Sequence, residues 1–212
     1  MKKILKNYNR ILLSSLCCFA FFSGCASKEP AVNSKESSME DTQISADKEQ
    51  GGLNDLETMN KSIGEFSIQD IEGNTYTQEM FADYNITMVN IFTTWCSPCI
   101  NEIPDLEKLR NEMSDQGVNI VGIVLDGIDA DGSANEEVKE KAKLLAEKTG
   151  ASYPFLIPDS GYLNGRLIGI EAVPETFFVD KEGNMIGETY SGSRSFEDWK
   201  NIVETELNGV SQ

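Results

Sequence analysis

The sequence predicts an α/β domain, a mixed central β-sheet flanked by helices, and three observations predict it. From residue 66 onward, β-rich runs alternate with segments of helical period. One run, residues 118–125 (VNIVGIVL), is mostly apolar on both faces, as a buried central strand should be. The chain then closes on a hairpin and a last helix, which makes the sheet mixed and covers both its faces. No internal repeat is present.

The elements follow in order. Residues 66–70 and 75–77 flank Glu72-Gly73-Asn74, a turn signal, and read as an N-terminal β-hairpin. Residues 86–92 (ITMVNIF) have strand length and β-rich composition. In residues 96–113, Ile100, Ile103, Leu106, Leu109 and Met113 recur at helical spacing. After the central strand, Ser133 and Glu136 have the spacing of a capping box. They open a helix with Val138, Ala142 and Leu145 on one face, ending at Gly150. Pro154 and Pro158 mark a loop, followed by a short amphipathic piece at 162–168. Strands at 176–180 (TFFVD) and 185–190 join through Lys181-Glu182-Gly183-Asn184. Ser195 with Asp198 caps a last helix carrying Phe196, Trp199, Val203 and Leu207.

Ahead of this body lies an address. Lys2, Lys3, Lys6 and Arg10 precede an apolar run at 11–22, too short to span a bilayer comfortably. Ser23, Gly24, Cys25 and Ala26 follow, which is the layout of a secretory signal peptide. Phe22-Ser23-Gly24-Cys25 resembles the bacterial lipobox, which implies a signal peptide at 1–24 and lipidation of Cys25. Residues 25–61 would then form a lipid-anchored linker. Its polar, aromatic-free composition predicts disorder, since it cannot bury enough apolar surface to offset ordering entropy. A tether of about 35 residues reaches roughly 35 Å. The folded domain is expected over residues 62–212.

The 212 residues carry 18 basic and 35 acidic side chains, a formal charge of −17. From Cys25 onward 14 basic residues face 35 acidic ones, a formal −21. Such a body repels nucleic acid, so no nucleic-acid partner is expected. There is no histidine, which removes Ser-His-Asp and Cys-His nucleophile systems and every histidine metal ligand.

Five cysteines occur, and Cys17, Cys18 and Cys25 belong to the N-terminal segment. Only Cys96 and Cys99 remain for the body, spaced C-x-x-C where a strand ends and a helix begins. The chemistry needs that place. Disulfide exchange is carried out by a thiolate, and a helix N-terminus offers it unpaired N–H groups and the positive end of a dipole. Cys96 should therefore be the attacking sulfur. Cys99, one turn in and shielded, is suited to resolve the mixed disulfide. A structural zinc site wants four ligands and copper sites favour histidine, so no metal is expected. Residues 126–132 lack the oxygen spacing of a calcium loop and read as a solvated turn.

The motif Trp95-Cys96-Ser97-Pro98-Cys99, its extension C-x-x-C-x-x-E-x-P over residues 96–104, and Val173-Pro174-Glu175-Thr176 before TFFVD together resemble the TlpA/ResA-like branch of the thioredoxin superfamily. The resemblance covers roughly residues 62–208. It implies a thioredoxin-like fold with an N-terminal β-hairpin and a central insertion. It also implies thiol–disulfide oxidoreductase activity through the Cys96–Cys99 disulfide, with no other cofactor. Pro174 would be the cis-proline facing the disulfide, and Val173 would offer backbone hydrogen bonds to a bound partner. Trp95 and Pro98 would shape the partner surface. Glu102 lies three residues past Cys99 on the same helix. There the resemblance implies a proton-handling carboxylate whose burial raises its pKa. The plainer alternative is a solvent-facing glutamate. The implied partners are disulfide-bearing or oxidised-enzyme clients, such as apocytochrome c or a methionine sulfoxide reductase. Electrons would come from a membrane donor of the CcdA/DsbD type. A monomer on the outer face of the cell membrane is expected. Two alternatives stand beside this: a peroxide reductase, and a binding lipoprotein that uses the fold without catalysis.

Overall fold

The structure, a computed structural model, describes residues 62–210. The expected signal peptide, the lipidated Cys25 and the linker lie outside the described residues. Among the described residues no helix is long and apolar enough to cross a membrane.

Among the described residues, seven strands form one sheet: β1 (Ser67–Asp70), β2 (Thr75–Thr77), β3 (Ile86–Phe92), β4 (Val118–Val124), β5 (Phe155–Ile157), β6 (Glu175–Asp180) and β7 (Met185–Ser191). Their order is β2-β1-β5-β4-β3-β6-β7. The α-helices of the described residues are α1 (Ser97–Met113), α2 (Glu136–Thr149) and α3 (Phe196–Val210). Every residue of β3 and β4 is buried, as their two-sided apolar runs require. β3 runs parallel to β4 and antiparallel to β6, with Phe92 opposite Val124 and Ile91 opposite Glu175. The sheet is mixed, as the sequence predicts.

The chain steps from β3 to β4 to β5 in one direction across the sheet. Right-handed crossovers then put α1 and α2 on the same face. Leu106 and Leu109 of α1, Ala142 of α2, and Trp199 and Val203 of α3 all join one apolar cluster with Ile86, Met88, Ile120 and Phe178. The opposite face carries Val89, Ile91, Val121, Ile123, Phe177 and Val179. Its cover is irregular. Ile63 and Phe66 come from the start of the domain, Phe81 from a one-turn helix (Gln78–Phe81), and Leu163 and Leu167 from the 162–168 segment.

That segment is a left-handed turn. Tyr162, Leu163 and Asn164 have φ of 49°, 52° and 53°, and Gly165 N–H donates to Gly161 O at 2.8 Å. Left-handed backbone costs an L-residue roughly 1–2 kcal/mol. Burial of Leu163 and Leu167 offsets this, and the Asn164 amide donates to Ile63 O (2.9 Å) and Glu65 O (2.7 Å).

Two sequence expectations are corrected. The stretch between Pro154 and Pro158, read as a loop, contains β5, which pairs with both β4 and β1. Three residues are too few for a periodic signal, and the flanking prolines mask it. Pro154 still serves the sheet, since its carbonyl accepts from Gly122 N–H at 2.9 Å. The cap of α2 is Asn135, whose Oδ1 accepts from Val138 N–H at 2.9 Å; Ser133 instead donates to Asp131. Asn135 stands directly before the first helical residue, so it meets the free N–H groups that Ser133 is too far back to reach. The Ser195 cap of α3 is as predicted.

Candidate redox site

β3 ends at Phe92 and the chain turns at once into α1. Cys96 N–H closes the turn on Thr93 O at 3.2 Å. Cys96 is the N-cap of α1, and its Sγ accepts from Cys99 N–H at 3.3 Å. The sulfur thus occupies the place where a capping oxygen would satisfy a free helix N–H. Pro98 falls in the first turn, where its missing N–H costs nothing. Cys96 and Cys99 are joined in a disulfide. Cys99 is wholly buried, and Cys96 retains slight exposure at 5%.

Around this pair the fold gathers the other predicted residues. Val173–Pro174 is a cis peptide, and Val173 O lies 3.7 Å from Cys96 Sγ. Trp95 stands out from the surface at 71% exposure, and Pro98, three residues on, is exposed as well. Pro104 lies within α1, which runs on past it to Met113.

Glu102 is not the solvent-facing residue of the plainer alternative: it is 3% exposed. Three N–H donors hold it. Asn90 Nδ2 of β3 reaches Oε1 at 3.0 Å, while Arg194 N–H and Trp199 Nε1 each reach Oε2 at 3.2 Å. Asn90 Nδ2 also donates to Thr176 Oγ1 at 3.0 Å. Burial pushes the Glu102 carboxyl above the usual value, against the opposing pull of these donors and of the Arg194 charge. Trp199 is core, as its periodicity predicts, and also a hydrogen-bond partner of this carboxylate, which periodicity does not reveal.

Asp126 overturns another expectation. Residues 129–131 are exposed, as a solvated turn should be, but Asp126 is half-buried and engaged. Its carboxylate accepts from Thr94 N–H (3.1 and 3.2 Å) and from Thr94 Oγ1 (2.8 Å). Phe92 and Val124 are ladder partners, and Thr94 and Asp126 each lie two residues further on. Sheet register therefore brings them together, and no local pattern could have found the pair. Among the described residues no group of three or more acidic or cysteine side chains is placed to hold a metal ion.

This arrangement, a disulfide at a helix start beneath a cis-proline loop, is suited to thiol–disulfide exchange. Comparison with known proteins agrees. The AhpC/TSA family matches residues 59–187. Thiol:disulfide interchange protein DsbE of Haemophilus influenzae is 30% identical over 141 residues, 66% of this chain and 70% of that protein. Thiol-disulfide oxidoreductase ResA of Geobacillus thermodenitrificans is 27% identical over 142 residues, 66% of this chain and 74% of that protein. Among solved structures, a thiol:disulfide interchange protein of the thioredoxin family from Chlorobium tepidum superposes with a TM-score of 0.54 at 27% identity. That match covers 69% of this chain and 96% of the other. The chain belongs to the AhpC/TSA family and is a thioredoxin-like thiol–disulfide oxidoreductase of the ResA and DsbE kind.

Proposed function

We propose that the protein is a lipid-anchored reductase of disulfides on the outer face of the bacterial cell membrane, acting on protein clients through Cys96. The observation that carries this is Cys96 Sγ as the cap of α1, with buried Cys99 one turn behind it. In the dithiol form, the Cys96 thiolate attacks one sulfur of a client disulfide. A mixed disulfide forms and the client's other sulfur leaves as a thiolate. Cys99, deprotonated, then attacks Cys96 Sγ. The client departs as a dithiol with two electrons and two protons, and the Cys96–Cys99 disulfide closes. Glu102, three residues past Cys99 on α1, would take the Cys99 proton, a role its raised pKa supports by bringing it nearer that of a thiol. The exposed Trp95 and Pro98, with the Val173–Pro174 cis peptide beside Cys96, would receive an extended client segment.

Clients of the apocytochrome c or methionine sulfoxide reductase type, and a membrane electron donor of the CcdA/DsbD type, fit this chemistry. The lipobox resemblance at Cys25 supports the anchor. In a Cys99→Ala variant expressed in the native host, the mixed disulfide cannot be resolved. Clients should accumulate on Cys96 and be released by a reductant. A redox titration should give a potential in the range of reductases, roughly −200 mV or lower. Failure to trap any client, or a potential near that of a strong oxidant, about −120 mV, would overturn the reading.

A further inference from the structure

The turn that delivers Cys96 to the head of α1 is held from one side by its own backbone, through Cys96 N–H on Thr93 O. From the other side it is held by a residue of a different element. Asp126 lies in the single helical turn Leu125–Gly127 after β4 and takes both the N–H and the hydroxyl of Thr94. Every donor recorded on this carboxylate is neutral, and no ion pair among the described residues includes it. An acidic side chain without an ion-pair partner therefore holds Thr94, two residues before the sulfur that the helix end would stabilise as a thiolate.

We propose that Asp126 is a positioning residue with an electrostatic consequence: it fixes the Thr94–Cys96 turn, and its charge restrains the acidity of Cys96. The inference rests on the reading of Cys96 as the attacking thiol. The two effects oppose each other in a useful way. The helix end lowers the energy of the thiolate, and a like charge nearby raises it. A thiolate stabilised by the helix alone leaves too readily and makes the pair a stronger oxidant, and Asp126 holds it toward the reducing side. Other acidic groups near the pair in sequence or across the cis-proline loop are Glu102 on α1, which accepts from the Arg194 N–H, and Glu171 and Glu175 on either side of Val173–Pro174, Glu175 being ion-paired with Arg166.

The test is the pH profile of alkylation of reduced protein, with the modified cysteine identified by mass. Asp126→Asn leaves an oxygen for the Thr94 N–H and removes the charge. Its midpoint should fall by about half a unit to one unit. Its equilibrium with glutathione should move about threefold to tenfold toward the dithiol. Asp126→Ser, a smaller neutral acceptor, should shift both readouts the same way, which guards against misfolding of either variant. Thr94→Val keeps the charge and removes one donor from it, so its midpoint should not fall. A midpoint unchanged or raised in folded Asp126→Asn, or lowered in Thr94→Val, would sink the proposal. Alkylation of Cys99 first in the unaltered protein is a separate outcome, and it would sink the assignment of Cys96 instead.

Discussion

On the side of the sheet covered by α1 and α3, polar side chains interrupt the core: Asn90, Glu102 and Thr176 are buried, Asn90 donates to both of the others, and Trp199 donates to Glu102. On the opposite face the same central strands present Val89, Ile91, Val121, Ile123, Phe177 and Val179, and the polar side chains they bury there, Thr87 and Asn119, carry no charge. The difference teaches where this fold accepts a cost. A carboxylate taken out of water is expensive unless hydrogen bonds compensate it. The helix face meets that cost with three donors, all directed at the side chain one turn from Cys99. On the other face these strands bury no charged side chain, so no carboxylate there needs such compensation. That face accepts irregular cover, including three consecutive left-handed residues, because apolar burial is not directional.

If the faces are separable in this way, the largest single effect on stability should leave the chemistry alone. Phe177→Ala empties a fully enclosed site over which Arg166 also stacks, 4.3 Å from the ring centroid. It should cost about 3–5 kcal/mol in urea denaturation. The alkylation profile of Cys96 should not move. A shift in that profile would show that the two faces are coupled through the sheet.

Trp199→Phe sharpens the comparison from the other side. The substitution keeps most of the ring packing and deletes the Nε1 donor to Glu102. It should cost about 1–3 kcal/mol, because a buried carboxylate loses a partner. The Glu102 carboxyl, already raised by burial, should titrate higher still, which side-chain carbon NMR would follow. A titration left in place would mean that Asn90 and Arg194 N–H suffice to hold the charge.

The smallest effect is one of slope. The Glu102 pKa is raised in the folded protein above its ordinary 4.5, so the native state holds this proton more tightly than the unfolded chain. The stabilisation it contributes is full below the ordinary value. It is lost as pH rises through the raised value. Glu102→Gln should remove that decline in the window that opens above the ordinary value, while leaving the fold intact. A variant whose urea midpoint still falls across this window would place the titrating group elsewhere.

Much of the site was legible before any coordinates. Cys96, Cys99 and Glu102 lie within seven residues of one another, and their spacing on a helix start is a local fact. The burial of Glu102 was less legible. The residues at i+3 and i+6 from Cys96 share a helix face, but only the neighbour across that face decides whether it is wet. Phe155–Ile157 was missed because three residues between two prolines carry no period. The cap of α2 was misplaced by two residues because several polar side chains stand in line before the helix, and backbone geometry picks one of them.

By itself, the sequence determined most of the elements: two central strands mostly apolar on both faces, a C-x-x-C at the junction of strand and helix, and an acidic body without histidine. These follow from interactions between residues a few positions apart, which periodicity and turn chemistry encode directly. Only the tertiary structure decided that Asp126 meets Thr94, 32 positions away, and that Trp199 meets Glu102, 97 positions away. Such contacts depend on strand register and on which face a crossover takes. Those are outcomes of packing the whole core at once, so no short stretch of chain carries them.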